Sequence, residues 1–194
     1  MSVADESVMK VRVLVLYAST HGHTGKIADR IGEALRENGV SARVREVGTP
    51  GAHVDPAGFD GVIVGGSIHM SRHQQAIIDW VTEHRATLNA VPSAFFSVSL
   101  TAADDTDEAR TATSGLIDHV MDETGWAPTT TAAFAGAFQF QEYNLPTRVL
   151  MHLIAKRHEE HVDVHQDIDY TDWAAVDRFA TDFAAVALRP EAVS

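Results

Sequence analysis

In "VRVLVLYASTHGHTGKIA", residues 11–28, a valine-rich apolar run is followed by small and hydroxyl-bearing residues. A nearly continuous apolar run is typical of a strand buried on both faces of a parallel sheet. Apolar residues then recur at helical spacing over 25–38, and Asn38 with Gly39 indicates a helix C-terminus. The stretch therefore predicts a strand over 11–17, a tight loop and a helix.

The same alternation of strand and helix continues along the chain. Strands are predicted over 41–47 at an edge and over 59–66, 92–100 and 129–138 in the interior. Helices are predicted over 72–88, 107–124 and 171–188, the last with Thr171 or Asp172 as its N-cap. Repeated βα units indicate a parallel sheet with helices on both faces. We therefore expect an α/β, doubly wound, five-stranded parallel sheet of order 2-1-3-4-5, with ligands at the carboxyl ends of its strands.

Composition limits the functions that the chain can have. The 194 residues suit one domain, predicted over 10–188 with tails at 1–9 and 189–194. The net charge of −12 disfavours a nucleic-acid partner, because a phosphate backbone attracts the opposite sign. The chain has no cysteine, which excludes disulfides, thiolate catalysis and cysteine-ligated metal centres. Any redox chemistry therefore needs a bound cofactor.

The distribution of apolar residues bears on location. Residues 1–10 lack the apolar core of a secretory signal, and no run of about 18 apolar residues predicts a transmembrane helix. We expect a cytoplasmic protein, with peripheral contact on the cytoplasmic face of the membrane as an alternative.

A long segment, residues 139–170, separates the last predicted strand from the last predicted helix. A short loop would suffice there, and a long insertion in a compact domain is usually functional or disordered. Asn144 and Pro146 are suited to the start of a helix, which an apolar stripe then continues. The stripe consists of Val149, Leu150, Leu153 and Ile154. Such a stripe more often packs on its own domain than on a membrane or substrate. We therefore expect a helical insert, here called the insert.

The loop after the first strand has the composition of an anion site. Its residues are Ser19, Thr20, His21, Gly22, His23 and Thr24. The first N–H groups of a helix have no internal partner, and the helix dipole there favours negative charge. The spacing matches neither the P-loop nor the GxGxxG fingerprint. We predict a phosphate site in which the two histidines shape the loop, donate N–H groups or are solvent-exposed, since no third metal ligand is near.

The first loop and its flanks resemble the flavodoxin signature. The match comprises Val15, Leu16, Tyr17, Ser19, Gly22, Thr24, Ala28 and Ile31. The resemblance implies a flavodoxin-like fold that binds FMN, with the phosphate held by residues 19–24. It also implies a second flavin loop, "GGSIHMSRHQ" (65–74), whose glycines let the backbone approach the isoalloxazine ring, and a third, "SVSLTAADDT" (97–106), near its pyrimidine edge. The implied contacts are Gly66, Ser67, Ile68, His69, Ser99, Leu100, Thr101 and Ala102.

Four further segments point to a particular family. "FDGVIVGGSIHMSRH", "PSAFFSVSL", "FAGAF" and "YTDWAAV" are similar to the menaquinone-dependent protoporphyrinogen oxidase family, over about residues 11–187 and including an insert. That resemblance implies oxidation of protoporphyrinogen to protoporphyrin in haem biosynthesis, with electrons passed to menaquinone. The flavin carries the chemistry, so no catalytic side chain is assigned. Candidate substrate contacts are Phe138, Phe140, Tyr143 and Arg148.

Several alternatives stay open. The chain could be a flavodoxin-type electron carrier whose acidic surface docks basic partners, or an FMN-dependent quinone or NAD(P)H reductase. A homo-oligomer is also open. His158, His161 and His165 are spaced for zinc, although solvated surface histidines are the favoured interpretation. The acidic residues around them argue against adhesion to anionic lipid.

Overall fold

The computed structural model describes four stretches of the chain, residues 10–48, 54–69, 72–138 and 168–189. The strands are β1 Arg12–Ala18, β2 Ser41–Glu46, β3 Gly61–His69, β4 Arg72–His73, β5 Ser93–Ser99, β6 Thr130–Ala135, β7 Ala137–Phe138 and β8 Ile168–Asp169. The α-helices are α1 His23–Glu37, α2 Gln75–Leu88, α3 Asp107–Thr124 and α4 Trp173–Ala187. Two short 3₁₀ turns lie at Pro56–Gly58 and Thr101–Ala103.

Five parallel strands form the central sheet in the order β2-β1-β3-β5-β6. Numbered without the short β4, this is the predicted order 2-1-3-4-5, so the doubly wound α/β fold is confirmed. Helices α1 and α4 share one hydrophobic core with one face of the sheet, and α2 and α3 share a second core with the other face.

The burial of β1 shows why its sequence is apolar from Val13 to Leu16. Val13 and Val15 belong to the core beneath α1 and α4, whereas Leu14 and Leu16 belong to the core beneath α2 and α3. Successive side chains of a strand point to opposite faces. Both faces of β1 are therefore buried, and no polar residue can alternate with the apolar ones.

The second predicted helix begins later than the sequence indicated. The prediction placed its start near Arg72, but α2 begins at Gln75. Strand β3 continues to His69 instead of ending at the paired glycines, and β4 pairs antiparallel with its last residues. The described part of the predicted flavin loop 65–74 is thus largely the antiparallel pair of β3 and β4, here called the hairpin, because Ile68 and His73 are paired where the sequence predicted the first helical turn.

The last predicted strand, 129–138, is divided in the structure. Strand β6 ends at Ala135, and the backbone N–H of Gly136 donates to the carbonyl of Ser99. Strands β7 and β8, here called the ribbon, then pair antiparallel across the two ends of the insert. The ribbon therefore closes the base of the insert.

Helix α4 is capped by one of the two predicted residues. The side chain of Asp172 accepts from the N–H of Ala175, whereas the hydroxyl of Thr171 donates to the carbonyl of Ala135. Asp172 is therefore the N-cap.

The middle of the insert, residues 139–167, lies outside the described residues. The helix expected after Asn144 and Pro146, its apolar stripe and the three spaced histidines all fall there. The limits of the domain at 10 and 188 remain predictions.

Among the helices of the described stretches, none combines the length and the apolar character that crossing a membrane requires.

Candidate functional site

The carboxyl ends of three neighbouring strands bring the predicted loops to one edge of the sheet. Tyr17 of β1 is paired with Gly65 of β3, and Gly66 is paired with Ser97 of β5. The first loop follows β1, the hairpin extends β3, and the third loop follows β5. All three therefore begin at the same level, beside the switch point of the sheet.

The start of α1 has no side-chain cap. Gly22 is its N-cap, with a left-handed backbone (φ 79°), and no side chain caps the helix there. Helix α2 likewise has no side-chain cap, whereas α3 and α4 are capped by the side chains of Thr106 and Asp172. The first N–H groups of α1 are therefore left to an external acceptor, for which a phosphate is well suited.

A side chain that the sequence interpretation missed joins the first loop to the hairpin. The amide nitrogen of Gln74 donates to Thr20 Oγ1 at 3.0 Å and to Ser67 Oγ. The two hydroxyl oxygens lie 3.4 Å apart. Gln74 immediately precedes α2, a position that carried no recognisable signal in the sequence. Thr20 and Ser67, predicted on separate loops, thus form one hydroxyl cluster with Gln74.

Two histidines of the predicted site, one from the first loop and one from the hairpin, approach each other. The ring of His21 lies edge-on to that of His69, with centroids 6.1 Å apart. His21 is half-buried and His69 is exposed. Within the described stretches, no group of three or more histidine, aspartate or glutamate side chains is placed to hold a metal ion.

His23 differs from the expectation for a solvent-exposed loop histidine. Only 6% of the residue is exposed, and its Nε2 lies 2.7 Å from Thr171 Oγ1. Asp169 Oδ1 is 3.5 Å from the same nitrogen. Burial lowers the pKa of His23; the nearby Asp169 carboxylate opposes this effect and Lys26 adds to it. The solvent-exposed alternative is therefore wrong for His23, which is a neutral, buried residue at neutral pH.

His73, also missed, lies beneath the second loop. Its Nε2 is 3.0 Å from Ser97 Oγ, and its ring meets Phe95 edge-on at 5.2 Å between centroids. A side chain added at Gly66 would touch the imidazole. Burial lowers the pKa of His73 to about 4, with a smaller contribution from His119. His73 therefore supports the hairpin as a neutral ring.

The third loop is held by its own serine. Ser99 is buried, and its Oγ accepts from the N–H of Ala102 at 3.2 Å. This bond closes the 3₁₀ turn Thr101–Ala103, in which Thr101 is exposed, while Leu100 before it is half-buried. The loop therefore presents a short, rigid run of backbone at the edge of the sheet.

The remaining residues that were predicted to contact flavin or substrate lie in different surroundings, and some lie outside the described residues. Ser19 and Ile68 are half-buried within their segments, and Thr24 is buried in the first turn of α1. The backbone of Phe138 lies in the ribbon. Phe140, Tyr143 and Arg148 lie outside the described residues. Contact of any of these residues with flavin or substrate stays a prediction.

The described residues fit FMN. An uncapped helix start suits its phosphate, the hydroxyl cluster of Thr20 and Ser67 offers neutral donors, and Gly66 presents no side chain. Neutral hydrogen-bond donors can bind an anion without a positively charged side chain, which suits a chain with a net charge of −12.

Comparison with known families and structures agrees with this geometry. The model of the flavodoxin domain family matches residues 14–165. A flavodoxin from the domain Archaea superimposes with a TM-score of 0.53 at 17% identity, covering 92% of this chain and 100% of its own. A short-chain flavodoxin associated with a non-canonical PDU bacterial microcompartment has a TM-score of 0.56 at 14% identity, covering 91% and 99%. The chain belongs to the flavodoxin domain family, as a flavoprotein with FMN as its cofactor.

Curated relatives narrow the class further. A protoporphyrinogen IX dehydrogenase [quinone] of Leishmania major is 38% identical over 93% of this chain and 80% of its own length. The protein of the same name from Escherichia coli strain K12 is 30% identical over 93% of this chain and 98% of its own. Within the flavodoxin domain family, the chain is thus an FMN-dependent oxidoreductase related to protoporphyrinogen IX dehydrogenases.

Proposed function

We propose that the protein oxidises protoporphyrinogen to protoporphyrin and passes the electrons to a quinone, with menaquinone as the natural acceptor in haem biosynthesis. The observation that carries the proposal is the 38% identity to a named dehydrogenase over 93% of the chain, a span that includes the insert. When bound, FMN takes electrons from the substrate and delivers them to the acceptor.

In the proposed reaction, the residues of this protein bind and orient the FMN. The start of α1 and the residues of 19–24 hold the FMN phosphate, and the cluster of Thr20, Ser67 and Gln74 fixes the hairpin against the first loop. Gly66 and the 3₁₀ turn Thr101–Ala103 border the flavin ring. Each of these assignments is open to substitution followed by flavin titration.

In this proposal the substrate is bound by residues at and after the end of the last strand before the insert. Phe138, Phe140 and Tyr143 offer aromatic surface to a tetrapyrrole, and Arg148 offers a cation to a propionate. The proposal includes a cytoplasmic location with peripheral contact to the membrane, because menaquinone is a lipid.

The test is an anaerobic assay of purified protein reconstituted with FMN. We expect a yellow protein that forms fluorescent protoporphyrin from protoporphyrinogen when a menaquinone analogue is present, and that stops after the bound flavin is reduced when the quinone is withheld. Gly115→Ala, on α3 where an added methyl group meets nothing, is the matched control and should retain full activity. A yellow protein without porphyrin formation would contradict the substrate assignment.

A deletion separates the dehydrogenase from a flavodoxin-type carrier. Phe138 and Ile168 are cross-strand partners in the ribbon, so residues 139–167 can be replaced by a two-residue Asn-Gly turn. We expect the shortened chain to bind FMN and transfer electrons to artificial acceptors but to lose porphyrinogen turnover. Unchanged turnover would contradict a role of the insert. Reduction of the bound flavin by NAD(P)H would favour the reductase alternative instead.

A further inference from the structure

The imidazole of His23 connects two parts of the molecule that lie far apart in sequence. His23 is the first residue of α1, and Thr171 lies between the ribbon and α4. The bond between His23 Nε2 and Thr171 Oγ1, 2.7 Å long and buried, spans 148 positions. The start of the proposed phosphate-binding helix is thus bonded to the base of the insert.

The direction of this bond follows from the other contact of the hydroxyl. Thr171 Oγ1 donates to the carbonyl of Ala135, at the end of β6, over 2.9 Å. A hydroxyl has one proton, so it accepts from His23, whose Nε2 therefore carries the ring proton. His23 Nδ1 is buried and has no hydrogen-bond partner among the described residues. Nε2 thus donates to Thr171, with Asp169 Oδ1 3.5 Å from the same nitrogen.

Thr171 is itself fixed to the ribbon. Its backbone N–H donates to Asp169 Oδ1 at 2.9 Å, and Trp173 Nε1 donates to Asp169 Oδ2 at 3.2 Å. Asp169 is the cross-strand partner of Ala137. A displacement of the ribbon would therefore move the acceptor of the His23 bond.

We infer that His23 is a positioning residue that holds the first turn of α1, and with it the phosphate site, in place against the ribbon at the base of the insert. The inference rests on the proposed function, since it takes the FMN phosphate as the anion at α1. Gly22 gives the helix start no side-chain cap, so the first turn is held from the side of α4 through His23, by its bond to Thr171 and by the edge contact of its ring with Trp173, 6.1 Å between centroids. Without that bond, the N–H donors of the phosphate move, while the hairpin and the third loop keep their own bonds.

The experiment compares two flavins that differ only in the phosphate. Full-length apoprotein is titrated with FMN and with riboflavin, and binding is followed by quenching of flavin fluorescence. Thr171→Val and His23→Leu each remove one side of the bond. We expect each to weaken FMN binding about fivefold, the usual worth of one buried hydrogen bond, and to leave riboflavin binding unchanged. His23→Gln, which keeps a donor near the position of Nε2, should restore most of the FMN affinity.

Two controls distinguish positioning from a general loss of stability. Asp172→Ala removes the N-cap of α4 beside Thr171 without touching His23, so it should lower the melting temperature and leave the ratio of FMN to riboflavin affinity unchanged. The double variant His23→Leu with Thr171→Val should bind FMN no more weakly than either single variant.

The inference is overturned if Thr171→Val weakens both flavins equally or neither of them. A folded wild-type chain that binds no flavin would contradict the proposed function instead, so the two failures give different results.

Discussion

Gly65 is required by packing inside the sheet. Its cross-strand partner Phe96 lies so close that an added Cβ would be only 1.9 Å from a carbon of the phenyl ring. Phe96 is fully buried and meets Phe134 and Phe179, so the ring cannot retreat. Of the paired glycines that the sequence interpretation assigned to the flavin, Gly65 therefore has an internal structural reason, and an added Cβ at Gly66 would meet the His73 ring at 3.1 Å.

We expect Gly65→Ala to lower the free energy of unfolding by about 2 to 3 kcal/mol, because overpacking a rigid core forces strain on its neighbours. Urea denaturation measures the loss. The matched control is Gly115→Ala, at a helical position with open space, which should raise stability by about 0.5 to 1 kcal/mol. Equal stability of the two variants would contradict the packing argument.

His73 makes the stability of the protein depend on pH. Its folded-state pKa of about 4 lies below the ordinary value of 6.5, so the unfolded chain binds the proton more readily. The contribution of His73 to the free energy of unfolding is therefore complete above pH 6.5. It is lost as the pH falls towards 4, by about 3 kcal/mol in all. His73→Gln retains a group that can bond Ser97 but cannot titrate, and its unfolding free energy should fall less over that range. Parallel pH profiles for the two proteins would refute the assignment.

At the scale of elements, the first loop and the β3–β4 hairpin are joined by one amide. Gln74 contacts both Thr20 and Ser67, one from each segment. The adjacent Gln75 is exposed and bonds only Asp79 of its own helix among the described residues. Neighbouring glutamines thus have different structural roles, which a substitution can separate.

We expect Gln74→Leu to weaken the binding of both FMN and riboflavin, by about fivefold or more, because the hydroxyl cluster loses its shared donor and the hairpin beside the ring loosens. Gln75→Leu should leave both affinities unchanged. Flavin fluorescence titration measures them. An unchanged affinity in Gln74→Leu would show that the cluster does not support the cofactor.

For the molecule as a whole, FMN binding should stabilise the fold, because the proposed FMN site is formed by three loops that are distant in sequence. The unfolded chain cannot form it. Free FMN at a hundred times its dissociation constant should add about 2.7 kcal/mol, which corresponds to a rise of about 5 to 10 °C in melting temperature. Differential scanning fluorimetry with a non-flavin dye measures the shift. A folded protein with no shift at saturating FMN would contradict the cofactor site.

Much of the fold and the first loop could be predicted from the sequence because their signals are local. The apolar run of β1 and the boundaries of Asp107–Thr124 each follow from neighbouring residues, whereas α1 begins at His23, two residues before the predicted start at 25. The hairpin at Arg72–His73 was not predicted, because a two-residue strand has no periodicity of its own and forms only where β3 offers it an edge.

The parallel α/β sheet and its strand order followed from the sequence alone, because buried strands and helix starts are encoded by adjacent residues; the anion site at the first loop is predicted from the same local signals. Only the tertiary structure decided that Gln74 joins two loops, that His73 lies beneath Gly66 and that His23 is bonded to Thr171. These contacts depend on how strands and helices are packed together. No local pattern can place two side chains 148 residues apart within a single hydrogen bond.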